Sequence, residues 1–250
     1  MADNISDPSI YAKHEQFIEK YSSPILELLA PKAGEKILEI VCDTNTFAED
    51  IAKYGCAVTS TDADKMCTEV GVCADVTDVD TQTTEMAETF DAVVVSCVLH
   101  RTPDHYAMVR RVRKLLKEGG RFAVECGGEG CVRIIREGMK IALSKRGIDY
   151  KSRNPWKFPE VGTLTGILAS NGFQVKSMAR FDSPVHLENG LRGWLEDFSK
   201  LHTEGFSDAE REAFYKDVED YCRPMLWSKE NGWTADYVRL RFLAVKDTIN

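Results

Sequence analysis

His100 is the side chain best suited by type and setting to transfer or polarise a proton. An imidazole titrates near neutrality, and this one follows the apolar run Phe90-Asp91-Ala92-Val93-Val94-Val95-Ser96 by only a short loop. Its other reading is a histidine that merely caps a turn. Cys97 opens the same loop. Glu125 closes a second apolar run, Arg121-Phe122-Ala123-Val124-Glu125, where it can serve as a base or ligand anchor, or sit as a buried hydrogen-bonded carboxylate. Trp156, Phe158, Trp233 and Tyr237 carry enough flat apolar surface to wall a pocket for an apolar or polyene-like small molecule, and core packing is their other use. Arg239 and Arg241 alternate on a strand-like run and so share a face, from which they can clamp a carboxylate or remain solvated.

These groups act together only if the chain sets the ends of several strands side by side. Its patterning does so. Lys36 to Ile40 reads as a buried strand, Phe47 to Tyr54 as the helix after it, and Cys56 to Asp62 as a second strand. A short third strand is expected at Val70–Ala74, closed by Asp75, a fourth at Phe90–Ser96 and a fifth at Arg121–Glu125. Between the last two, Tyr106 to Leu116 reads as an amphipathic helix stopped at Gly119-Gly120. The alternation predicts an α/β fold with a doubly wound, mainly parallel sheet whose ligand crevice lies at the carboxyl ends of the strands.

Beyond Gly128 the pattern changes. Helices are expected at Val132–Arg146, Val161–Asn171, Leu191–His202 and Asp208–Met225, with a rigid aromatic loop at Asn154–Pro159 and strands at Phe173–Phe181 and Ala235–Lys246. The two strands would complete a seven-stranded sheet. The expected organisation is one domain over 1–250: a core of about 30–127 and 172–250, a helical cap from about 128–171 and 185–230, and an N-terminal helix at 8–30.

Composition narrows the partners. A chain of 250 residues with 43% hydrophobic side chains can bury one α/β core, and its net charge of -8 argues against nucleic acid. No apolar run reaches the roughly 18 residues of a membrane span and the first residues lack a signal-peptide pattern, so a cytoplasmic protein acting on a small molecule is expected. Eight cysteines without a C-x-x-C pair read as reduced, buried thiols, with no metal site expected.

The loop after the first strand has a nucleotide-binding frame with altered contents. Where Glu-x-Gly-x-Gly-x-Gly is expected, the three glycine slots hold Val41, Asp43 and Asn45. Asp and Asn tolerate positive φ, so the turn can survive, but all three side chains enter space that glycine leaves to a ligand. Asp43 also sets a negative charge where an anion would meet a helix N-terminus. Asp62 stands 23 residues beyond Glu39, about where an acid accepts hydrogen bonds from a ribose in such folds.

With these motifs in order, the chain resembles the class I S-adenosylmethionine (SAM)-dependent methyltransferases, and among them small-molecule enzymes similar to trans-aconitate 2-methyltransferase. The resemblance is carried by Pro31-Lys32-Ala33-Gly34-Glu35-Lys36-Ile37-Leu38-Glu39-Ile40, by Phe90-Asp91-Ala92-Val93 with Leu99-His100, and by Leu115-Leu116-Lys117-Glu118-Gly119-Gly120-Arg121-Phe122. It continues through Asn154-Pro155-Trp156 with Phe158-Pro159, Gly172-Phe173 and Ala235-Asp236-Tyr237-Val238-Arg239-Leu240-Arg241. It implies that Asp62 contacts the ribose, Asp75 lies beside the adenine, His100 and Cys97 face methyl donor and substrate, and Tyr11 and His14 lie on a helix covering the cofactor, where they are further catalytic candidates or part of a half-exposed helix face.

Against that pattern stand the lost glycines and the short segment between Asp62 and Asp75. Overpacking costs about 1–3 kcal/mol per intrusion. Three intrusions rival the roughly 8 kcal/mol behind a micromolar dissociation constant. The resulting expectation is an enzyme without a cofactor that has lost SAM binding and uses the crevice for a cyclisation, pericyclic rearrangement, isomerisation or elimination in secondary metabolism. The alternatives are a SAM-dependent O- or C-methyltransferase with an altered loop, and a non-catalytic binding partner.

Overall fold

A computed structural model of the chain describes residues 24–41, 47–62 and 86–248. Its centre is a sheet of six described strands in the order β2-β1-β3-β4-β9-β5. These are β1 Lys36–Val41, β2 Ala57–Asp62, β3 Phe90–Ser96, β4 Leu116–Gly127, β5 Phe173–Asp182 and β9 Val238–Lys246. β1 pairs in parallel with β2 and β3, and β3 with β4. β9 runs antiparallel between β4 and β5. The expected strand Val70–Ala74 lies outside the described residues.

Period-two alternation divides the strand side chains between two faces. On one face Ile37, Ala92, Val94 and Ala123 pack with Ile25 and Leu29 of helix α1 (24–29) and with Phe47 and Ile51, the latter in α2 (Ala48–Ala52). On the other, Leu38, Ile40, Val93, Val95, Phe122, Val124 and Phe242 meet Met108, Val109 and Val112 of α3 (His105–Leu115) and Leu164 and Leu168 of α5 (Val161–Ser170). Both faces are covered, which is why the parallel strands read as nearly continuous apolar runs. The α3 helix ends at Leu115 and β4 begins at the next residue, and Gly119-Gly120 falls shortly after, in the irregular stretch of β4 between Leu116, which pairs with Phe90, and Arg121, which pairs with Ala92.

The cap has its own core. In it α4 (Arg133–Ser144), α6 (Gly190–Phe198) and α7 (Asp208–Leu226) enclose Ile135, Met139, Trp194, Phe214 and Val218, joined by Tyr150, Trp156 and Val238. The expected last strand is divided: Asp236-Tyr237 separates β9 from β8 (Gly232–Ala235), which pairs with β6 (Val185–His186) and β7 (Trp227–Ser228) in a small second sheet. The helix expected to reach His202 ends at Phe198.

Candidate active site

The carboxyl ends of β3 and β4 meet at Cys97, which takes the left-handed φ of 57° unusual for a non-glycine residue and so turns the chain away from the sheet. Its N–H donates to the Glu125 carbonyl at 2.8 Å, fixing this turn to β4. One 3-10 turn, Leu99–Arg101, then delivers His100. The His100 ring stacks on Phe158 at 5.2 Å with planes 8° apart, and its Nδ1 accepts the Gly127 N–H at 3.3 Å. The His100 carbonyl accepts from the Lys157 N–H at 2.7 Å. Burial, reinforced by Arg101, Arg239 and His105, pulls the imidazole pKa down to about 3, so the ring is neutral. Gly127 makes the stack possible: a Cβ there would lie 2.5 Å from Phe158 Cε1 and 3.3 Å from Cys131 Sγ.

From Phe158 an aromatic wall runs into the cap and back to the sheet. Trp156 lies 6.2 Å from Phe158 and 6.1 Å from Trp194, whose indole N–H donates to the Tyr237 hydroxyl at 2.8 Å. The Arg239 guanidinium lies 5.2 Å from the Tyr237 ring, and its Nη1 donates to Cys97 Sγ at 3.5 Å. The circuit therefore closes where it began, bringing together His100, Cys97, Trp156, Phe158, Tyr237 and Arg239.

Two other residues singled out in the sequence lie apart from this wall. Trp233 sits in the small sheet opposite Trp227, beneath the Arg223 guanidinium at 5.1 Å. Glu125 is buried and accepts from Arg241 Nε at 2.5 Å.

Four further residues belong to the wall or its support. Trp194 was legible in part, because Leu191, Trp194 and Leu195 mark the buried face of a helix. Arg136 lies 5.0 Å from the Phe158 ring and donates to the Tyr150 hydroxyl at 3.3 Å. His202, for which the sequence has no signal, is fully buried against Trp156 at 5.2 Å and Tyr150 at 5.5 Å, with no hydrogen-bond partner on either ring nitrogen among the described residues. Burial and the nearby Arg153 and Arg136 pull its pKa to about 4.

At the other end of the parallel sheet, β1 and β2 stop together, with Val41 opposite Asp62. Glu39 is buried two residues short of that edge. Its Oε2 accepts from the Ser60 hydroxyl at 2.7 Å, while Oε1 has no partner among the described residues. Burial raises its pKa, opposed by the hydrogen bonds from Ser60 and the Phe47 backbone. Tyr11, His14, Asp43, Asn45 and Asp75 lie outside the described residues. Among the described residues no three His, Cys, Asp or Glu converge as a metal site, and no helix is long and apolar enough to cross a membrane.

A family described as "Methyltransferase domain" matches residues 11–178. An uncharacterized methyltransferase of Schizosaccharomyces pombe is 27% identical over 258 residues, spanning 95% of this chain and 96% of that protein. A ubiquinone biosynthesis O-methyltransferase of Xanthomonas axonopodis pv. citri is 33% identical over 131 residues, 48% of this chain and 52% of that one. Among solved structures, a Bacillus halodurans protein described as a methyltransferase superposes with a TM-score of 0.58 at 14% identity, over 90% of this chain and 98% of that one. The [4+2]-cyclase SpnF also superposes, with a TM-score of 0.53 at 16% identity over 94% and 83%, a likeness of fold alone.

The match to the family and to a full-length methyltransferase relative overturns the expectation of a cofactor-free cyclase, isomerase or lyase. That expectation charged each lost glycine at Val41, Asp43 and Asn45 as a side chain inside the ligand's volume. A glycine in such a loop reports one backbone path, and a loop following another path directs its side chains elsewhere.

Proposed function

The chain belongs to the methyltransferase-domain family, and from that premise we propose that it is a SAM-dependent methyltransferase acting on an oxygen of a small, planar organic molecule. Bound SAM supplies an electrophilic methyl group on a sulfonium. The residues that would hold it are Asp62 at the ribose, Asp75 beside the adenine, and the loop after β1. On the acceptor side, Phe158, Trp156 and Tyr237 enclose a flat molecule and exclude water from it, His100 hydrogen-bonds its oxygen, and Arg239 sets a buried positive charge at the strand ends. The ion pair with Arg241 gives Glu125 the part of a brace between β4 and β9. Oxygen is favoured as the acceptor atom by the partial likeness to an O-methyltransferase.

The observation that carries this reading is the family match across residues 11–178. Isothermal titration of the purified protein with SAM and with S-adenosylhomocysteine tests it. The expected outcome is binding of both at dissociation constants of micromolar order, about 8 kcal/mol. In Asp62→Ala that binding weakens at least tenfold, or about 1.4 kcal/mol. No heat and no thermal shift at millimolar ligand would overturn the reading.

A further inference from the structure

The hydrogen bond at His100 settles which ring nitrogen can do chemistry. Nδ1 accepts the Gly127 N–H, so in the neutral ring the proton resides on Nε2. Moving it to Nδ1 would set two N–H groups against each other and leave a buried backbone donor unsatisfied. Adding a second proton is opposed by burial and by three nearby groups, Arg101, Arg239 and His105. A third guanidinium, that of Arg136, lies over the Phe158 ring that stacks on the imidazole.

Among the described residues, the nearby groups are otherwise engaged. The Glu125 carboxylate is held by Arg241, and the Tyr237 hydroxyl accepts from Trp194 while burial raises its pKa. Burial likewise pushes the Cys131 thiol up to about 11.

Resting on the methyltransferase reading, we propose that His100 is a fixed Nε2–H donor to the acceptor oxygen and not its base, and that the acceptor is an acidic hydroxyl that arrives ionised: a carboxylic acid, an enol or an electron-poor phenol. The balance of the step agrees. The acceptor's oxyanion supplies the electron pair of the new O–C bond, the C–S bond breaks with its pair passing to sulfur, and no proton has to leave. A donor at Nε2 favours the ionised oxygen in the ground state and selects it from its protonated form. Such a donor slows an intrinsically nucleophilic alkoxide no less than it orients it, so the gain lies in selection and aim.

Two measurements test this. Long-range 1H–15N correlation spectra of the ligand-free protein should show His100 with Nε2 protonated and Nδ1 bare, unchanged from pH 8 to pH 5. An Nδ1–H tautomer, or a titration midpoint between pH 6 and 7, would overturn the donor assignment whatever becomes of SAM binding. A series of substituted phenols from 4-nitrophenol upward in pKa, assayed with SAM, should then give kcat/KM profiles whose acid limb moves with the pKa of each phenol. His100→Ala should lower kcat/KM about 100-fold, and His100→Gln, which keeps an N–H near Nε2, should recover about tenfold of that loss. A limb fixed at one pH across the series would reveal a base on the protein and overturn the proposal. Failure of every phenol and a matching carboxylic acid series to bind or react at millimolar concentration would remove the acceptor class. Absence of SAM binding with the Nε2–H tautomer intact would instead remove the methyltransferase reading alone.

Discussion

Replacing His202 by Phe should flatten the pH dependence of stability. The imidazole packs between Tyr150 and Trp156, neither ring nitrogen has a hydrogen-bond partner among the described residues, and its pKa falls from the ordinary 6.5 to about 4. The folded state therefore binds a proton less readily than the unfolded chain. This contribution is fully present above pH 6.5 and is lost as pH falls toward 4. At 1.36 kcal/mol per unit the whole linkage is about 3 kcal/mol, of which about 2 kcal/mol falls between pH 7 and pH 5. Phe keeps the ring contacts and removes the titration. At pH 7 it also removes two bare buried polar atoms while adding a slightly larger ring, effects of opposite sign and each about 1–3 kcal/mol. The decisive quantity is thus the change between two pH values. Urea unfolding followed by tryptophan fluorescence at pH 7 and pH 5 should show the wild type losing about 2 kcal/mol more than His202→Phe, with unchanged denaturant slopes. His100 titrates with the same sign in both proteins and cancels. Equal losses would refute the argument by showing that His202 is hydrated or already partnered.

Gly127→Ala should shift the Phe158 ring, because the new Cβ would lie 2.5 Å from it, and should cost about 1–3 kcal/mol with an altered near-ultraviolet circular dichroism spectrum. An unchanged spectrum and melting temperature would show that Phe158 has room to move. Glu125→Gln should destabilise by about 3–5 kcal/mol by leaving Arg241 without its carboxylate, and adding Arg241→Met should recover part of that loss in a double-mutant cycle of urea midpoints. Additive losses would mean that the two residues do not act as a pair.

The sheet was legible because its strands advertise themselves. β1, β3 and β5 appear within about two residues of their expected bounds, since buried β-branched runs have few other structures open to them. The small second sheet was not, because two-residue strands such as Val185–His186 are too short to show any period. Site residues divide on the same line. His100 and Cys97 follow directly from a strand end, whereas Trp233 and Tyr237, alike by type and four positions apart, part company at Asp236, where the chain leaves one sheet for the other. Residue types alone could not separate them. The cofactor loop misled for a different reason: the glycine pattern was read as fixing one backbone path, and the sequence does not say which path a loop without those glycines takes.

The position of β9 bears on how the protein comes into being. This strand fills the gap between β4 and β5 and carries Arg239 and Arg241, while Tyr237 immediately precedes it. While a ribosome is still holding residues 230–246, the nascent chain has two sheet edges facing an empty lane and neither arginine in place. Closure of the sheet and assembly of the site are then one late event, joining residues more than a hundred positions apart in sequence, as in Arg241 with Glu125. A partly made chain consequently lacks the paired β9, and its open lane is the surface that a chaperone or a stray strand would meet first.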